Sequence, residues 1–172
     1  MGIETTTDEY QWFAVYTRSR TEKKAHDELT KHEITCYLPM HKVMRQWSDR
    51  KKWVEVPLFN SYLFVHISSK EYLKVLQIKG LVRFISFEGK AVPIPPQQIE
   101  AIKIFLTQGD PDIEQEEMNF AAGAPVEIIR GSMAGLTGIL LYVAGKHRVK
   151  VEIDCVGQSL IINVPKSSLK QI

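Results

Sequence analysis

The stretch GDPDIEQEE, residues 109–117, constrains the fold more than any other part of the sequence. It holds five acids and no base, with Gly109 and Pro111 among them, and offers almost nothing to bury. Such a segment does not run through a core, so it joins two of them. The change in sequence character across it predicts a domain over residues 10–108, an acidic linker over 109–120 and a second domain over 121–172. Residues 1–9, polar and acidic, are expected to form a disordered tail. At 172 residues, 44% of them hydrophobic, the chain can supply a core on each side.

Ahead of the linker the apolar pattern changes period repeatedly. WFAVYT (12–17) is a short apolar strand, and Ser19 followed by Glu22 forms a capping-box pattern for a helix with Ala25 and Leu29 inward. TCYLPMHKV (35–43) and WVEV (53–56), the latter running on into PLFNSYLFVHI (57–67), predict two more strands around a basic tip, RQWSDRKKW. Ser68 and Glu71 repeat the capping pattern for a helix with Tyr72, Val75 and Leu76 inward and Gly80 at its C′ position. VRFISF (82–87) is a further strand, and PPQQIEAIKIFLTQG a third helix with Pro at its start and Gly past its end. The order β-α-β-β-α-β is that of a ferredoxin-like split βαβ sheet, with helices on one face and the other open. Beyond the linker, five short apolar segments separated by Gly, Pro and Ser turns predict a small SH3-like barrel, so the fold class is α+β.

The function classes that remain are narrow. No apolar run approaches a membrane span of about 18 residues, which leaves the cytoplasm as the expected location. Cys36 and Cys155 form no C-x-x-C and read as reduced structural thiols. The five histidines show no metal spacing beside a Glu base, and neither a P-loop nor a G-x-S-x-G occurs, so neither catalysis nor a cofactor is expected. Gly131, Gly135 and Gly138 in RGSMAGLTG lack the Lys and helix of a phosphate cradle and read as barrel turns.

Binding is the better prospect. Residues 18–53 are basic, which reads either as a solvated face or, with Trp47 and Trp53 flanking SDRKK, as a nucleic-acid contact; Trp53 could also be core. In PLFNSYLFVHI, alternation directs Tyr62 and Phe64 away from the face that carries Leu63, Val65 and Ile67. Three readings compete for them: cover by a loop or the other domain, an RNA-stacking platform, and a protein-docking patch. The RNA-recognition octamer pattern is met only at Tyr62, Phe64 and Val65.

These residues carry a family resemblance. From Trp12 to the C-terminus the chain resembles the NusG family of transcription elongation factors: WFAVYT leads into a basic helix, PLFNSYLFV stands for the family's PLFPGYVFV-like strand, and GLVRFI follows the second helix. GAPVEIIRGSMAGLTGILLYV resembles a KOW motif, with Gly138 at its characteristic glycine. The resemblance implies an N-terminal NGN domain that grips the RNA polymerase clamp helices through Tyr16, Phe59, Tyr62 and Phe64. Phe59 lies on the opposite alternation, so its place there requires a bend or a strand start. Arg18, Arg20, Lys23 and Lys24 would face non-template or upstream DNA. The KOW barrel would recruit another factor, a ribosomal protein or Rho, and the chain would act as a monomer. Asn60-Ser61 replaces the family's common Pro-Gly, which is similar to specialised paralogues such as RfaH and the antiterminators of capsular-polysaccharide operons. A general NusG and an RNA-binding module of RRM or ribosomal-protein type are the alternatives.

Overall fold

The computed structural model describes residues 9–108, 123–143, 146–153 and 156–172. The expected acidic linker, Cys155 and residues 1–8 of the expected tail lie outside the described residues. The chain divides into two compact units between Ile94 and Pro95.

The first unit opens with β1 (Gln11–Thr17), α1 (Glu22–Lys31) and β2 (Thr35–Tyr37). The hairpin β3 (Met40–Gln46) and β4 (Lys51–Pro57) follows, then β5 (Tyr62–Ile67), a 3-10 turn (Ser69–Glu71), α2 (Tyr72–Leu76) and β6 (Leu81–Phe84). A small hairpin, β7 (Ser86–Phe87) and β8 (Lys90–Ala91), precedes β9 (Pro93–Ile94). The main sheet has the order β2-β5-β1-β6, with β9 also on β1, and every pair is antiparallel. Alternation along these strands sends Phe13, Val15, Leu63, Val65, Ile67 and Phe84 to one face, where they pack with Ala25 and Leu29 of α1 and Val75 of α2. Each such large side chain removed from water contributes about 1.5 to 3 kcal/mol, so this face holds the unit together.

Three expected strands break, each for a local reason. The segment 35–43 divides at Leu38-Pro39, because proline has no N–H for the ladder; the Pro39 carbonyl instead accepts from Leu58 N–H at 2.8 Å. The stretch 57–67 is not one strand: residues 58–61 turn, with Ser61 at φ 64°. The segment 82–87 ends at Phe84, and Glu88 and Gly89, at φ 50° and 79°, make the two-residue turn between β7 and β8 that positive φ at both centres permits. Of the two capping patterns, Ser68 with Glu71 forms a box. Ser19 with Glu22 does not, since α1 starts at Glu22 itself and that carboxylate bonds elsewhere. Gly80, at φ 98°, ends the turn after α2 rather than capping the helix, which stops at Leu76.

The second unit begins with α3 (Pro96–Gln108), followed by β10 (Pro125–Ile128), β11 (Thr137–Val143), β12 (Lys146–Ile153), β13 (Gln158–Asn163) and β14 (Leu169–Gln171). All five strand segments expected after the linker are present, in one antiparallel sheet of order β13-β12-β11-β10-β14 around Val126, Ile128, Val149, Val151, Ile153 and Ile162. The helix α3, which the sequence joins to the domain before it, groups here with these strands. Its last residue accounts for part of this: the Gln108 amide donates to the Asn163 carbonyl at 3.1 Å and accepts the Asn163 N–H at 3.0 Å, completing the edge of β13 as another strand would. Among the described residues no helix is long and apolar enough to cross a membrane.

Candidate functional site

The sheet of the first unit has a second face, and aromatic side chains line it. Register places Tyr16 opposite Tyr62, Ala14 opposite Phe64 and Trp12 opposite His66, and β2 adds Tyr37 beside Phe64. The rings meet in a row: Tyr16 lies edge-on to Tyr62 at 5.5 Å, Tyr37 stacks on Phe64 at 6.4 Å, and Trp12 stacks on His66 at 4.9 Å. The Arg83 guanidinium, delivered by β6, sits 5.7 Å from the Tyr16 ring centre in a cation–π contact.

The four aromatic candidates therefore share one region but differ in exposure. Tyr16 and Tyr62 are half-buried, and their outer surfaces face solvent. Phe59 and Phe64, at 1% and 0%, are not exposed. Expecting Phe64 to project freely from an open face is thus corrected: the Phe59 ring packs edge-on against it at 6.1 Å, with Tyr37 stacked beside it. Tyr37, Trp12 and Arg83 were not among the sequence candidates. Alternation along β1 and β2 carries the signal for the first two, whereas Arg83 depends on strand register.

Phe59 arrives through the turn at 58–61, the bend its alternation required. Ser61 holds a left-handed conformation, φ 64°, that side chains seldom adopt. Three bonds impose it. Its N–H donates to the Glu22 carboxylate at 2.8 Å, its carbonyl accepts from Thr17 N–H at 2.8 Å, and Tyr62 N–H donates to the Phe59 carbonyl at 3.4 Å. Glu22 is 6% exposed, so this buried carboxylate spends its acceptor capacity holding the turn. Ser61→Gly is expected to raise stability by about 0.5 to 1 kcal/mol, since the backbone strain removed outweighs the added chain entropy. Urea titration measures this, and a lowered midpoint would contradict it.

The basic candidates cluster on the neighbouring edge. Arg18, Arg20, Lys23 and Lys24 are all exposed at the entry to α1. Arg20, Lys23 and Lys24 line a groove of about 790 Å3 whose other walls are one face of the β3–β4 hairpin, with His41 and Arg45, and the 58–61 turn, with Asn60. Lys23 Nζ donates to the Glu55 carbonyl at 3.3 Å, tying the helix to the hairpin. Arg18 stands outside this groove, its backbone N–H bonded to the Gly80 carbonyl at 2.9 Å. Sequence pointed to the α1 cations; His41, Arg45 and Asn60 join them only through the fold. On the hairpin itself, Trp53 is 60% exposed, which answers the question whether it is core.

In the second unit, Gly131 and Gly135 occupy the β10–β11 turn at φ 83° and 90°, with open space where a Cβ would lie. Gly138 differs from the barrel-turn expectation, because it lies within β11, where a Cβ would sit 2.5 Å from the Lys150 carbonyl. Close strand packing, not turn geometry, requires glycine there. Among the described residues no group of three or more His, Cys, Asp or Glu side chains could hold a metal ion. The half-buried Cys36 is a free thiol, which burial pushes above its ordinary pKa.

The first unit thus carries a half-covered aromatic face and, beside α1, a groove lined by cations. Among known proteins, the family model described as "Transcription termination factor nusG" matches residues 10–103, more than half of the sequence. The chain belongs to the NusG family of transcription factors. A solved structure of NusG from Thermotoga maritima is similar over 95% of this chain and 98% of that one, at 20% identity and a TM-score of 0.54, which shows a shared fold. The MjSpt4:Spt5 complex aligns over 94% of this chain and 96% of that one, at 19% identity and a TM-score of 0.32.

Proposed function

We propose that this protein is an elongation and antitermination factor that binds the clamp helices of RNA polymerase through Tyr16 and Tyr62, with Phe59 and Phe64 as the packed floor beneath them. The observation that carries this reading is the half-exposed Tyr16–Tyr62 pair on the sheet face opposite the helices, bordered by Arg83. Tyrosines bury large area with few rotors to immobilise, which suits them to an interface. Binding across the polymerase cleft would favour one of two clamp states, and no chemistry is required. The antiparallel order β2-β5-β1-β6 supports a ferredoxin-like NGN domain, and the five-stranded sheet with Gly138 inside it supports an SH3-like KOW domain. That second domain would recruit a ribosomal protein or Rho. Asn60-Ser61 in place of Pro-Gly favours a specialised, operon-specific factor over a general one, acting as a cytoplasmic monomer.

Co-purification tests the reading against an RNA-binding module. Polymerase retained on the tagged chain after nuclease treatment supports it, and loss of all partners after nuclease supports the RNA module instead. Arg18, Arg20, Lys23 and Lys24 would contact DNA phosphates on the elongation complex. Each phosphate neutralised adds about 0.9 to the slope of log K against log salt, so Lys23→Ala with Lys24→Ala is expected to flatten that slope by roughly one to two units. An unchanged slope would return these lysines to a solvated face.

A further inference from the structure

We propose that the β3–β4 ribbon is a stacking platform for single-stranded DNA, with Trp53 as its base-binding surface. Among the described residues the ribbon pairs with no third strand, so a sheet core does not account for its aromatic side chains. Register sets Trp53 opposite Met44, and both remain open to solvent, 60% and 47%. Trp47, 56% exposed, stands at the tip, where its backbone N–H donates to the Arg50 carbonyl at 2.8 Å. One exposed apolar side chain needs no explanation, but a cluster on a single ribbon does.

The charge around this cluster selects its occupant. Residues 40–57 carry Lys42, Arg45, Arg50, Lys51 and Lys52 against only Asp49 and Glu55. Lys51, two residues from Trp53, and Lys42, two from Met44, share the aromatic face, where Glu55, opposite Lys42, is the one acid; Lys51 stands within reach of a phosphate flanking a base laid on the indole. An uncharged membrane or an apolar protein surface would satisfy the rings and leave the excess of positive charge on the ribbon unmatched. A single strand satisfies both, because its phosphates are anionic and its unpaired bases offer free π-faces, which bases inside a duplex do not. Arg45, on the opposite face of the ribbon, lines the groove with Arg20, Lys23 and Lys24, so one polyanion can run from the helix onto the hairpin. The choice of DNA over RNA rests on the DNA contact proposed for α1; the stacking itself does not.

The test titrates the purified full chain with labelled oligo-dT, an equally long oligo-U and a duplex, at several salt concentrations. Trp53→Leu keeps apolar bulk opposite Met44 and removes the π-face. It is expected to lower oligo-dT affinity fivefold or more, at about 1 kcal/mol or above per stacked base, with duplex affinity, salt slope and melting unchanged. Trp53→Phe keeps a ring and should keep most of the affinity. Absence of oligo-dT binding by the wild type, or equal behaviour of the Leu and Phe variants, overturns the proposal. Markedly tighter binding of oligo-U overturns the choice of DNA. An unchanged slope in the Lys23→Ala, Lys24→Ala variant, beside a normal Trp53→Leu effect, would fault only the α1 reading.

Discussion

Phe64→Ala is expected to cost about 3 to 5 kcal/mol of stability and to lower the melting temperature of the first unit by roughly 10 °C or more. The ring is fully buried, with Phe59 edge-on at 6.1 Å and Tyr37 stacked at 6.4 Å, so truncation opens a cavity that the rigid strands on either side cannot close. Phe64→Leu, which retains most of the volume, should lose much less. Thermal melting of the three proteins checks this directly. If Phe64→Ala melted like wild type, the ring would be a free surface group, as simple strand alternation implied.

Tyr62→Ala should behave in the opposite way. Its ring is half-buried and touches Tyr16 edge-on, so folding loses little, within about 1 kcal/mol. Polymerase binding should weaken by roughly thirtyfold, the result of removing about 2 kcal/mol at an interface aromatic. Melting, polymerase affinity and single-stranded RNA affinity together separate the readings. Loss of RNA binding with polymerase binding intact would mark a stacking platform for RNA, and a large fall in melting temperature would make Tyr62 structural. Only near-native melting with weakened polymerase binding agrees with the proposed interface.

Much of the fold was legible because it rests on short-range pattern. The alternation in YLFVHI sends Leu63, Val65 and Ile67 to the core face as read, and all five late strands lie where Gly, Pro and Ser mark their ends. The capping pattern illustrates the limit. Ser68 with Glu71 and Ser19 with Glu22 look alike in sequence, yet Glu22 is taken by a donor 39 residues away, the Ser61 N–H. Local pattern cannot anticipate a competing long-range partner. The aromatic face is a similar case: alternation places Phe64 on it, but the cover supplied by Phe59 depends on a serine held in a conformation usually left to glycine. Likewise the groove joins Lys23 and Lys24 to Arg45 and Asn60, an assembly that only strand pairing and the 58–61 turn create.

That turn also has a mechanical meaning. Glu22 begins α1, Thr17 ends β1 and Ser61 leads into β5, so the bonds among them rivet the basic helix to the strands bearing Tyr16 and Tyr62. The two surfaces cannot pivot independently. A partner that engages one already holds the other in position, and the second contact then forms at high effective concentration with little further ordering to be overcome. Were the proposed contacts with polymerase and nucleic acid both made, weak grips on each would multiply into a single long-lived attachment, and severing the rivet would loosen it even with every contacting side chain intact.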